Sequence, residues 1–548
     1  MEGRPIAFVP AARSCSSAET SERSRSIASQ ANEDEVMHAS TVAQSYDADG
    51  LQELLNSNIN VSQVQKHGGT LLHTAAQKNN TEALQRLLFA KANVNQVNSE
   101  GATPVFVAAL ENSIEALHQL VIARANVNLA ANDGATPMHM AVMEDNALAI
   151  RLLVLGRANV DQTAGGGITP AFTAAQTNNV EALQQLVRAK ADLDQADRNR
   201  ITPAFAAAKN CSTQAFQELV LARANVDQVN NNGASPLLVA ARNLNATVVQ
   251  QLVVARASTN QTNKDGISPL FFAAQHNRTD IIQQLVLGSA DVNQAQRNGV
   301  TPVFVAAQEN CANALRALIQ SRADVNKRNK QGATPLCISA GSNNAKTLKQ
   351  LLLARADIDA ANANGSTPCI IAAQNNSIEV LQHLVLARGN VNQANRKGAT
   401  PLHLIAQENN VDALKVLLLA RAIVDQENMN GATPLYVAAQ CNSVDVLQQL
   451  ILARGRVDQA AHGSLTPVYV AARTNSAEAL QQLVIARANV DPATEVWMIL
   501  MVCKSVGRSM NNIRRSKNSD DTTTAPLTRE WHMCPTPATI GNCYLSGA

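Results

Sequence analysis

The sequence predicts an all-α solenoid of helix-turn-helix units joined by β-turn tips. Three observations predict it. A Thr-Pro or Ser-Pro pair returns every 33 residues, each unit holds an apolar stripe at helical spacing, and a short polar turn leads to the next unit. The pairs start at Thr103, Thr136, Thr169, Thr202, Ser235, Ser268, Thr301, Thr334, Thr367, Thr400, Thr433 and Thr466. Thr70-Leu71 holds the same phase without the proline. Leu51, Leu54 and Leu55 fall one period before Leu84, Leu87 and Leu88, which makes residues 34–66 a degenerate first unit. The array then has about fourteen units. A fixed period of this size marks a stacked repeat, because one unit cannot bury its own apolar stripe and neighbours can.

Residues 169–201 serve as the type unit. Thr169 is placed to cap a helix with its hydroxyl, and Pro170 suits the first helical position, where no amide partner is lost. That helix ends near Asn178, a residue that tolerates the left-handed backbone of a helix terminus. A second helix is predicted from about Val180 to Arg188. Leu183, Leu186 and Val187 form its apolar stripe. Glu181 in its first turn and Lys190 past its end both favour the helix dipole. Asp192 to Arg200 is a polar turn.

Composition fits thin layers. Apolar residues are 46% of the chain and aromatics only 3%. The formal net charge of +2 is too small to point to nucleic acid. The nine cysteines form no metal or disulfide framework: the spacing of Cys211, Cys311, Cys337, Cys369 and Cys441 matches neither. Reduced thiols and an intracellular, cytoplasmic chain are expected. No signal peptide is recognised in residues 1–30, whose Ser and Arg content also fits a transit peptide.

The period, Thr-Pro-x-x-x-Ala-Ala, the Leu-Leu or Leu-Val pair and Ala-Asn-Val-Asn or Ala-Asp-Val-Asn together resemble the ankyrin repeat. The match is closest at Thr400 to Gln407 and spans residues 34–493. There are departures. The third residue after the Thr is His only at His73, His139 and His403; elsewhere it is mostly apolar, as at Phe106 and Phe271. The glycine that usually ends the first helix is mostly Asn, as at Asn79, Asn112 and Asn277. The glycine that usually ends the second is Arg or Lys, as at Arg124 and Arg223. Arg200 and Ser464 stand where the turn glycine belongs, which predicts strain or a looser turn there.

Residues 1–33 are predicted to be a disordered Ser/Arg-rich tail. The period stops after residue 493. Val496 to Cys503 fits a capping helix within residues 494–507, and equally the start of a gene-model artefact that includes the irregular tail 508–548.

No catalytic constellation emerges. Gly165, Gly166 and Gly167 fall in phase with a turn, and no Lys-Ser or Lys-Thr follows them. Neither a cofactor nor a metal is expected, and the chain is not expected to be an enzyme. The resemblance implies a recognition surface on the turn tips and the exposed face of the first helices, along a concave strip. On that strip the candidate residues are Arg198, Lys209, Arg242, Lys264, Arg297, Lys330, Arg396 and Lys397. They predict protein partners with acidic segments, without nucleic-acid binding or membrane insertion, and a monomeric chain. The function expected is an interaction scaffold or adaptor. The alternative is a regulatory or substrate-recognition array of a larger protein.

Overall fold

A computed structural model of the chain describes residues 41–42, 48–56, 62 and 68–490. The tail 1–33, the capping segment 494–507, the tail 508–548 and Lys66 lie outside the described residues. The described residues are helical throughout, with no β-strand among them and only two isolated bridges, Ala164–Ile168 and Ala461–Leu465. None of these helices is long and apolar enough to cross a membrane.

Each unit is two short antiparallel helices. In the type unit they are Pro170–Thr177 and Val180–Arg188. The degenerate unit keeps the phase: its helix Ala48–Asn56 lies one period before Thr81–Phe89, and Leu51 is buried as Leu84 is.

The first helix starts where Thr-Pro places it. Thr169 is extended (φ −92°, ψ 161°), and its Oγ1 accepts from the Phe172 amide at 3.1 Å. The hydroxyl has lost water, since Thr169 is fully buried, so this bond satisfies it. Thr202, Ser235, Thr301, Thr367 and Thr433 repeat the arrangement. Histidine at the third position does more. His139 Nδ1 faces the Thr136 amide at 3.2 Å and its hydroxyl at 2.9 Å, while Nε2 meets the carbonyl of Ile168, just before the next Thr-Pro pair, at 3.1 Å. A ring nitrogen that accepts from an amide carries no proton, so the Nε2 tautomer follows and the ring is neutral. Where the residue is Phe106, Phe205 or Phe304, the ring is buried and this polar link is gone.

Helix ends use the left-handed region as the sequence implies. Asn79, Asn112, Asn178 and Asn277 have φ from 53° to 63°. Lys91, Arg124, Arg223 and Arg355 have φ from 59° to 61°. After Arg223 the chain closes the helix with Arg223 N–H on Val220 O (3.1 Å) and Ala224 N–H on Leu219 O (3.0 Å). Arg200 and Ser464 also sit at φ 60°. The turn at Arg200 is not loosened: its amide still reaches Asp197 O at 3.0 Å.

The described residues fall into two compact units, one reaching to Pro401 with Lys415–Ala422, the other holding Leu402–Leu414 and the chain from Ile423. Within the first, first helices stack on first helices and second on second, as Pro170–Thr177 on Pro203–Asn210 and Val180–Arg188 on Thr213–Leu221. Within the second, Pro434–Cys441 packs on Pro467–Arg473 in the same way. Ala182, Leu183 and Leu186 are fully buried in this stack. Val187 is only half-buried. Gln184 and Gln185 are half-buried too. Gln184 Nε2 donates to Glu218 Oε1 of the next unit at 3.1 Å.

A polar ladder explains the Ala-Asn-Val-Asn signature. The first Asx accepts from the amide two residues on, as Asp192 Oδ1 does from Asp194 at 2.9 Å. The second reaches the following unit: Asp194 Oδ1 accepts from the Asn225 amide at 2.7 Å. The same 31-residue step joins Asn128 to Asn159, Asp227 to Ser258, Asn293 to Asp324 and Asp359 to Asn390.

Candidate protein-binding surface

The turn tips are built by a side chain and a backbone ladder. In the turn before Ser235, Asn230 Oδ1 accepts from the amides of Asn232 (2.9 Å) and Ala234 (3.0 Å), and Gly233 supplies φ 75°. At Gly233 a β-carbon would lie 3.3 Å from the Lys264 amide, a tight approach that the next tip would have to relieve by shifting a few tenths of an ångström. Where Ala164 and Ala461 replace the Asx, the bonds to its side chain are lost. Those two turns close on two successive left-handed residues, Gly166-Gly167 and Gly463-Ser464. The three glycines thus form a turn tip, as expected.

Each tip is tied to the one before. Arg198 N–H donates to Gly166 O (3.1 Å), Lys264 to Asn232 O (3.0 Å) and Arg297 to Asp265 O (3.1 Å). Lys330 donates to Asn298 O (2.9 Å) and Arg396 to Asn364 O (3.0 Å). The backbone is fixed while all five side chains stay exposed. Lys397 is the exposed neighbour of Arg396, with its amide on Asn395 Oδ1 at 2.9 Å. Lys209 and Arg242 are elsewhere, in the last turns of the first helices Pro203–Asn210 and Pro236–Arg242, both exposed. Among the described residues, no acid is ion-paired with Arg198, Lys209, Arg242, Lys264, Arg297, Lys330 or Arg396.

Not every cation near the tips is available. Lys327 Nζ donates to Asn293 O at 2.9 Å, and the Arg328 guanidinium to the Gly332 and Ala361 carbonyls. These two hold turns together. The acids are similarly sorted. Asp197 accepts from the amides of Asn199 and Ile201, so its carboxylate is spent inside its own turn. The assignment of the cations is not legible from residue type, since it depends on carbonyls one unit away.

Cys311, Cys337 and Cys369 are placed as packing residues, while Cys211 and Cys441 are exposed. Cys337 and Cys369 are buried, and burial raises both thiols, Cys369 to about 12. Burial lowers His73, His139 and His403 below the ordinary histidine value, against the pull of the carbonyl each one meets. Among the described residues no cluster of His, Cys, Asp and Glu is arranged to hold a metal ion.

A family model for ankyrin repeats (three copies) matches residues 36–131, 107–197, 171–262, 237–329, 316–395, 370–461 and 402–494. No curated protein matches the chain. The matches overlap from one end of the array to the other, and the chain belongs to the ankyrin-repeat family.

Proposed function

We propose that the chain is a protein-interaction scaffold or adaptor that takes acidic protein segments along its turn tips. Ankyrin repeats are generally protein-interaction modules. The observation that carries the finer reading is the run Arg198, Lys264, Arg297, Lys330 and Arg396. These side chains stand exposed, without a described acid on them, while their backbones are locked to neighbouring tips. A locked backbone lowers the ordering cost of binding, and a row of one sign steers an oppositely charged partner. Lys209, Arg242 and Lys397 extend the basic set.

A fluorescent poly-glutamate peptide tests the charge reading by anisotropy. The peptide should bind, and the affinity should fall at least about tenfold as salt rises through the range where surface charges are screened. No binding, or binding indifferent to salt, contradicts the reading.

A further inference from the structure

The last residue of the second helix is exposed and apolar in almost every repeat. In the first compact unit the row runs from Phe89, 92% exposed, through Val254 at 75% to Leu419 at 86%. Single exposed aliphatics are ordinary, but a row at the period of the array is an extended apolar surface. The residue before each is a half-buried aliphatic, such as Val121 or Val253. Val121 abuts Gly156 of the next repeat and Val253 abuts Gly288, so apolar surface continues across the seams.

Two polar residues interrupt the row, Arg188 and Gln320. They lie at equal sequence distance on either side of Val254. About that centre Leu221 mirrors Leu287, Leu155 mirrors Leu353, Ile122 mirrors Leu386 and Phe89 mirrors Leu419.

We infer that two copies of this chain pair along the row, antiparallel, with Val254 on the two-fold axis and Arg188 facing the second copy's Gln320. This pairing departs from the monomer expected from sequence. Pitch is the first argument: a partner that meets every member of the row needs the same repeat spacing, and a second copy has it. Symmetry is the second, since a two-fold interface is made of one self-complementary patch. Area is the third. At about 100 Å² of apolar surface per large side chain, nine such residues offer roughly 700 Å² per copy at their observed exposure. Two copies then bury on the order of 1,400 Å², the size of a stable interface. An exposed Lys or Arg stands two residues beyond ten of the row's eleven positions, from Lys91 to Arg421, and exposed acids follow only at Asp192, Asp291, Asp324 and Asp357. The flank is net basic, so the apolar pairing should tighten as salt screens that charge.

Sedimentation of the full chain across the micromolar range tests this. The prediction is a dimer of the 58.2 kDa chain. Val254→Glu and Val254→Lys should each weaken it at least about tenfold, because each places like charges face to face on the axis. Mixing the two variants should restore the dimer. Leu221→Glu should weaken it alone, and Leu287→Lys on the second copy should restore it. These side chains are exposed, and unchanged thermal melts would confirm that the variants fold. A monomer at every concentration, or a dimer indifferent to Val254→Glu, overturns the inference. So does a monomer that floats with phosphatidylserine vesicles and loses that binding on Val254→Glu, since the row would then serve a lipid surface.

Discussion

Asn178 caps a helix that belongs to the next repeat. Its backbone takes φ 63° to end Pro170–Thr177, while its Oδ1 accepts from the Ala215 amide, 37 residues on, at 3.0 Å. Asn79, Asn277 and Asn409 reach Ala116, Ala314 and Val446 in the same way. The two duties separate by substitution. Asn178→Gly keeps the left-handed backbone and loses the cap, and should cost about 1 kcal/mol. Asn178→Ala loses both and should cost about 2 kcal/mol. Hydrogen exchange of the helix Thr213–Leu221 measures both. Equal costs would mean that the left-handed backbone adds no strain, and a cost-free Asn178→Gly would mean that the bond to Ala215 contributes nothing.

The exchange of cap for cap is visible along the array. Cys211 replaces the asparagine and cannot reach across, and there Asn245 caps its own helix through the Val248 amide at 3.1 Å. Leu244 replaces it too, and the following helix Thr279–Leu287 has no side-chain cap. Its N-cap residue, Arg278, instead pairs with Asp280 at 2.6 Å.

Arg223 holds a left-handed backbone without such a compensating bond from its side chain. Arg223→Gly should stabilise the chain by about 0.5–1 kcal/mol, the relief of the Cβ clash less the added freedom of the unfolded glycine. A raised thermal midpoint checks it. A lowered one would show that the guanidinium contributes more than the strain costs.

His139 makes stability fall in acid. Burial, the largest cause, holds its folded pKa below the ordinary value of 6.5, while the Ile168 carbonyl and Asp133 act the other way. The unfolded chain therefore binds the proton first. The contribution is complete above pH 6.5, declines as pH falls below it, and is gone once pH is beneath the folded pKa. His139→Phe, the residue of many sister repeats, should flatten the dependence of the melt between neutral and mildly acid pH. An unchanged slope would place the sensitivity in other groups.

Cohesion between nearest neighbours predicts local damage. Leu183 is fully buried, and Leu183→Ala should cost ~2–5 kcal/mol. Loss of exchange protection should be confined to residues 136–235, the mutated repeat and those beside it. Uniform loss over the first compact unit would contradict this.

The period, the helix bounds and the left-handed positions were all legible, because each rests on residue type at a local spacing: Thr169-Pro170 starts a helix and Asn178 ends it. The ladders were not. Asp194 needs the Asn225 amide, and Arg328 needs the Ala361 carbonyl, and no local pattern names a partner one repeat away. The exposed row was hidden for another reason. Leu221 follows Leu219 and Val220 in an apolar run, and periodicity alone cannot say that the helix turns its last residue to water. Of the basic set, position was readable from phase. Which cations are spent on carbonyls was not.

The most direct test is the triple reversal Arg297→Glu, Lys330→Glu and Arg396→Glu in the full chain, read by melt and by poly-glutamate anisotropy together. If the tips bind and the backbone ladder holds, peptide affinity falls at least about tenfold and the melt moves by no more than about 0.5 kcal/mol. Peptide binding that survives the reversal, or a melt that collapses with it, would contradict the account.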